Sequence, residues 1–84
     1  MRHYLKTWIE HYKDVISGKK KAEVRFDDRN LNVGDTLILQ EYDPISLTYT
    51  GRSITKKVTH ILNGGMYGIK DKYVVMSLGK SKEI

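Results

Sequence analysis

The stretch SGKKKAEVRFDDRN, residues 17–30, is where one hydrophobic period gives way to another. Before it, Leu5, Trp8, Ile9, Tyr12, Val15 and Ile16 fall at spacings of 3, 1, 3, 3 and 1, one stripe of a helix. Thr7 reads as the N-cap, Glu10 completes a capping box, and Gly18 supplies the C′ residue, which accepts positive φ without penalty. These signals predict a helix of about two to three turns from near Trp8 to Ser17. After Gly18 the period is two. Ala22, Val24 and Phe26 alternate with Lys21, Glu23, Arg25 and Asp27, which predicts a half-buried strand with a charged polar face.

Downstream, Asp27-Asp28-Arg29-Asn30 and Asn32-Val33-Gly34-Asp35 have turn compositions. The second opens Thr36 to Tyr42, a strand expected to be buried on both faces near Leu37 to Leu39. Asp43-Pro44 ends it, because proline cannot donate to a ladder. Thr50-Gly51 marks the return, and residues 52–62 read as the partner strand of a hairpin. Ile54, Val58 and Leu62 share a parity with Lys56 and His60, which predicts a bulge or an edge near Lys56-Lys57. Asn63-Gly64-Gly65 reads as a flexible loop, Tyr73 to Leu78 as the last strand, and Gly79 to Ile84 as a frayed tail. The fold class expected is α+β, mainly β. One helix precedes four or so strands, mostly antiparallel, and a short sheet avoids bare edges by curling into a small barrel of about five strands with the N-terminal helix packed by its open side.

The 84 residues suffice for one small domain, 1–84, without repeats or a linker. With no cysteine there is neither a disulfide nor a thiolate zinc site, which fits a reducing compartment. No apolar run approaches the roughly 18 residues that span a bilayer, so no membrane partner is expected. The start, Met1 to Lys6, leads into no long apolar segment, so the expectation is no signal peptide and a cytoplasmic location. The formal charge of +5 favours an anionic partner, nucleic acid first, although a basic balance also serves solubility.

Glu23 and Arg25 stand about 7 Å apart along one strand face. Lys20 lies at the corner where the helix turns into that strand. Together they predict a cationic cleft around one carboxylate. Lysine and arginine suit phosphate, arginine can stack on a base, and a carboxylate can accept from a base amino group such as cytosine N4. The same charges can equally pair with one another across the sheet, at a few tenths of a kcal/mol each, roughly.

Gly18-x-Lys20-x-x-Glu23-x-Arg25 resembles the GxKxxExR signature of ASCH domains, a branch of the PUA-like superfamily. His3-x-Leu5-Lys6, Asp28-Arg29, Val33-Gly34-Asp35, Glu41-Tyr42-Asp43-Pro44, Tyr49-Thr50-Gly51-Arg52, Tyr67-Gly68 and Tyr73-Val74-Val75-Met76 extend the likeness to the DUF3850 family of small bacterial and phage proteins. The resemblance implies a PUA-like barrel with a helix by its mouth, and RNA or a nucleotide as partner. It implies that Lys20, Glu23 and Arg25 line the cleft, joined by Lys6; Arg29 and Tyr67 complete the expected nucleic-acid-binding set. Some ASCH relatives remove the acetyl group of N4-acetylcytidine. Lys20 matches their lysine, but Glu23 occupies the position of their threonine nucleophile, so covalent acyl transfer loses its nucleophile. An enzyme built here would use Lys20 and Glu23 as an acid–base pair on water.

Other residues give weaker signals. His3, His11 and His60 are far apart in sequence and read as hydrogen-bonding residues, so no metal and no cofactor are expected. Trp8 and Tyr12 share the helical stripe with Val15 and read as core. Tyr67, in a Gly-rich loop, either stacks a base, worth roughly 1–3 kcal/mol, or folds back on the barrel. Arg52, Lys56, Lys57, Lys80 and Lys82 read as a solvated, charged edge in preference to a phosphate track. Gly64-Gly65 lacks the context of a phosphate-binding loop.

Overall fold

A computed structural model describes residues 1–80. Its elements in chain order are β1 (Arg2–Trp8), α1 (Ile9–Ile16), β2 (Ala22–Phe26), β3 (Thr36–Asp43), β4 (Thr48–Asn63) and β5 (Tyr73–Lys80). The strands form one curled, half-barrel sheet in the order β1-β3-β4-β5-β2. β1 runs parallel to β3, with Leu5 opposite Leu39, and the other pairs are antiparallel. A parallel neighbour needs a long crossover, here supplied by α1, β2 and the turns up to Asp35.

β1 is a strand that hydrophobic periodicity did not reveal. His3, Leu5 and Thr7 point inward and Tyr4, Lys6 and Trp8 outward. Two of the three inward residues are polar, so the alternation is hidden, and Leu5 also fits the spacing of the helical stripe. The capping box falls with it. Thr7 lies within β1, Trp8 is the N-cap, and no side chain caps α1. Trp8 is about half exposed instead of being core, whereas Tyr12 and Val15 are buried as expected. The helix stops where the sequence predicted: the Gly18 N–H donates to the Val15 carbonyl (3.1 Å), with Gly18 at φ +83°.

β2 exists, but its faces are inverted. Glu23 is buried and Arg25 half-buried, while Ala22, Val24 and Phe26 lie outward. A one-residue change of parity moves every side chain to the other face. Here the charges win the inside because they neutralise one another, and Phe26 finds cover outside in an edge-on contact with Tyr73 (centroids 5.5 Å).

β3 is buried on both faces, as its apolar run implies: Leu37 and Leu39 are fully buried and Ile38 nearly so. Leu5, Val15, Leu31, Leu37, Leu39, Val58, Val74 and Met76 make the core. Each such side chain contributes about 1.5–3 kcal/mol by leaving water.

β4 begins at Thr48, earlier than expected, and its register with β5 shifts between Val58 and His60. The bulge thus lies just beyond Lys56-Lys57, and it swings Ile61 against the core. The edge assigned to these lysines is not there. β4 sits between β3 and β5, and the sheet's edges are β1 and β2. Gly64 is locked: its N–H donates to the Tyr73 carbonyl at 2.7 Å, and a Cβ there would lie 1.9 Å from the Lys70 oxygen. Gly79 and Lys80, expected to fray, pair with Lys57 and Lys56, while Lys82 and the rest of the expected tail lie outside the described residues.

Candidate functional site

The site grows from the corner between α1 and β2. The Lys20 N–H donates to the Asp14 carbonyl (3.0 Å), which folds residues 18–20 back over the helix end. The Lys20 side chain then points toward β2. Its Nζ donates to Glu23 Oε1 at 2.7 Å and also to the Ala22 carbonyl. Arg25 Nε donates to Glu23 Oε2 at 2.6 Å. Each carboxylate oxygen therefore holds one cation, and the carboxylate itself is buried, at 5% exposure for the residue. A buried charge needs such pairing, because an unpaired one costs several kcal/mol, roughly.

Arg25 also spans the open side of the half-barrel. Its Nη2 donates to the Lys6 carbonyl on β1 at 2.6 Å, and Arg29 Nη1 donates to the Tyr4 carbonyl at 3.2 Å. Both carbonyls belong to residues of edge strand β1, and one arginine from β2 and one from the turn after it bond them in place of a ladder.

Over Glu23 opens a cleft of about 490 Å³. Buried Thr7 and Glu23 form its floor, Trp8, His11 and Val24 flank it, and Lys6 and Lys20 add positive charge. The Thr7 hydroxyl oxygen is buried and has no hydrogen-bond partner among the described residues. Lys6 Nζ sits 4.3 Å from the Tyr42 ring centroid, a cation–π contact that holds it beside the cleft.

Four expected site residues, Lys6, Lys20, Glu23 and Arg25, thus meet in one cleft. Arg29 lies in an adjoining cavity of about 230 Å³ that shares Arg25 with the first. Tyr67 is 80% exposed, at φ +55°, and lines neither cavity. Thr7, Trp8 and His11 were not expected in the site. The signal that finds Thr7 and Trp8 is the polar alternation of β1, which places residue 7 inward and residue 8 at the strand's end, whereas His11 enters from α1.

Several other charged residues are engaged away from the cleft. Glu41 is buried on β3 and takes two bonds from Arg52, both 2.9 Å, and one from Thr50 at 2.6 Å. Those bonds, Arg52 first and Thr50 second, hold the Glu41 carboxyl below the usual carboxylate range against the opposing effect of burial. Arg52 also lies 5.5 Å over the Tyr12 ring, so it ties the hairpin to α1 from a strand that is not at the sheet's edge. His3 Nε2 and Asp35 Oδ2 lie 2.8 Å apart and buried, while His11 lies 3.7 Å from Glu10 at the surface. Among the described residues no group of three or more histidine, cysteine or acidic side chains is placed to hold a metal. No helix there is long and apolar enough to cross a membrane.

Comparison with known proteins gives the chain a family. Residues 2–78 match the family described as "Domain of unknown function (DUF3850)", and the chain belongs to that family. It is also 39% identical over 59 residues to the "Uncharacterized 12.9 kDa protein in GpA 3'region" of Escherichia phage P2. That match covers 70% of this chain and 52% of the phage protein, so the chain spans about half the length of this relative.

Proposed function

We propose that this chain is an ASCH-type, PUA-like RNA-binding module that holds a base or nucleotide in the cleft between α1, β1 and β2. The observation that carries the reading is Glu23, buried with one cation on each oxygen beneath a cleft flanked by a half-exposed tryptophan. A carboxylate fixed in this way keeps lone pairs to accept a base amino group. Trp8 offers a face for stacking, and Lys6 and Lys20 offer charge to the phosphate. A cytoplasmic site of action fits that partner.

The test is a titration with nucleotides, N4-acetylcytidine and short single-stranded RNAs, followed by backbone amide NMR shifts. Residues 18–25 and those near Lys6 should shift together and saturate. Lys20→Ala and Arg25→Ala should abolish binding while the spectrum stays folded. Unchanged affinity in both variants overturns the reading, and silence at millimolar ligand redirects the search to a protein partner. RNA affinity should fall with salt at a log–log slope of about −0.7 per phosphate contacted.

The 2.7 Å contact of Lys20 with Glu23 favours a second reading, a small amidohydrolase acting on a modified nucleoside. Glu23 would draw a proton from water and Lys20 would assist. Absence of acetate release from N4-acetylcytidine, beside an active related enzyme, counts against it.

A further inference from the structure

The two cavities adjoin at Arg25, which lines both. The first holds Trp8, 48% exposed, and the second holds Phe26, 50% exposed. Each cavity therefore pairs one half-exposed aromatic with a guanidinium: Arg25 at the first, Arg25 and Arg29 at the second. At about 230 Å³ the second cavity falls below the roughly 300–1,000 Å³ usual for an independent small-molecule site. It has room for part of a ligand whose remainder lies in the first cavity.

We infer that the site takes two consecutive nucleotides of a single strand, the first base against Trp8 and the second against Phe26, with the linking phosphate near Arg25 and Arg29. The inference rests on the nucleotide-binding reading of the first cleft. The two arginines cross to carbonyls two residues apart on β1, hence about 7 Å apart along the strand. Both guanidinium groups are thereby held along one edge of β1, where a single linking phosphate would meet them. The charge agrees. Inside the first cleft Glu23 already engages Lys20 and Arg25, whereas the exposed ion pair of Arg29 with Asp28 at 3.2 Å exchanges readily for a phosphate. The Phe26 ring is braced edge-on by Tyr73, so it is already held in place before a base arrives.

The probes are the four nucleoside 5′-monophosphates, the matching homodinucleotides and their hexamers, each as RNA and as DNA. Affinity is read by calorimetry and by the fluorescence of Trp8, the chain's one tryptophan. The expected result is a dinucleotide that binds about tenfold or more tighter than its mononucleotide, from one added stacked base. The hexamer should add little further at high salt. Phe26→Ala and Phe26→Leu should both bring the dinucleotide down to the mononucleotide's affinity. Leucine keeps Tyr73 covered, so a loss in both variants reports the missing ring and not a damaged fold. Mononucleotide binding with no gain from the second residue overturns this inference and leaves the first cleft standing. A gain that survives in both Phe26 variants also overturns it. No binding of any probe overturns the inference together with the reading on which it rests.

Discussion

Arg25 of β2 donates to the backbone carbonyl of Lys6 on β1, across the one side of the half-barrel where no strand closes the sheet. The same guanidinium orients Glu23, so the closure of the fold and the geometry of the cleft depend on one side chain. Arg25→Ala should lower stability by about 1–3 kcal/mol in urea unfolding, because it strips partners from a buried carboxylate and a backbone oxygen. Arg25→Lys should recover only part of that, since a single ammonium lacks the fork that reaches both oxygens. Full recovery by lysine would show that charge alone suffices.

Trp8→Ala separates binding from folding. The side chain is half exposed, so the thermal midpoint should move little, while nucleotide affinity should fall by about 1–3 kcal/mol, the cost of losing one stacked base. Equal affinity in wild type and variant would remove Trp8 from the site.

Thr7→Val replaces a buried hydroxyl that has no partner among the described residues with a methyl of similar shape. The free protein should become more stable by about 1 kcal/mol, because the desolvation cost of the orphan hydroxyl disappears. A ligand that reaches the floor of the cleft should bind the variant more weakly. Destabilisation on substitution would mean that the hydroxyl is satisfied in solution.

Acid should unfold the protein through two carboxylates. Glu41 is lowered chiefly by Arg52. Burial pushes Asp35 up, but the hydrogen bond with His3, the Asn32 N–H and the terminal ammonium outweigh it, leaving a net lowering. A lowered folded-state pKa gives stability that is present above the unfolded value, about 4, and that is lost as pH falls through the folded value. Circular dichroism should therefore show stability falling below about pH 4. Arg52→Gln removes the largest cause at Glu41, so acid unfolding should begin at higher pH. An unchanged acid midpoint would exclude the Glu41–Arg52 pair as its source.

Gly64→Ala should cost about 1–3 kcal/mol or more, since the added carbon lands on the Lys70 and Tyr73 carbonyls and the backbone must shift. A wild-type thermal midpoint would show that the turn between β4 and β5 yields easily.

Much of this was legible in the sequence because the signals were local. The run at Leu37 to Leu39 announced a strand covered on both faces, Gly18 marked the end of α1, and the spacing of Lys20, Glu23 and Arg25 brought all three into one cleft. What was hidden depends on partners distant in sequence. β1 turns polar His3 and Thr7 inward, where Asp35 and the cleft receive them, so no hydrophobic alternation betrays it. β2 faces opposite to its apolar pattern because Glu23 is neutralised by Lys20 from the helix corner and by Arg25, itself anchored on Lys6. The parallel pairing of β1 with β3 has no signature in either strand alone.

That parallel pairing bears on when the cleft comes into being. Met1 to Trp8 must wait for β3, made some thirty residues later, and loop closure over such a span delays a contact relative to hairpins such as β3–β4. Thr7, Trp8 and the Lys6 carbonyl enter the site only with β1, so the pocket is absent from any partly folded form in which β1 is undocked. A ligand of this cleft would consequently act as a native-state clamp, drawing the N-terminal strand onto the sheet and raising the whole protein's resistance to unfolding in proportion to its occupancy.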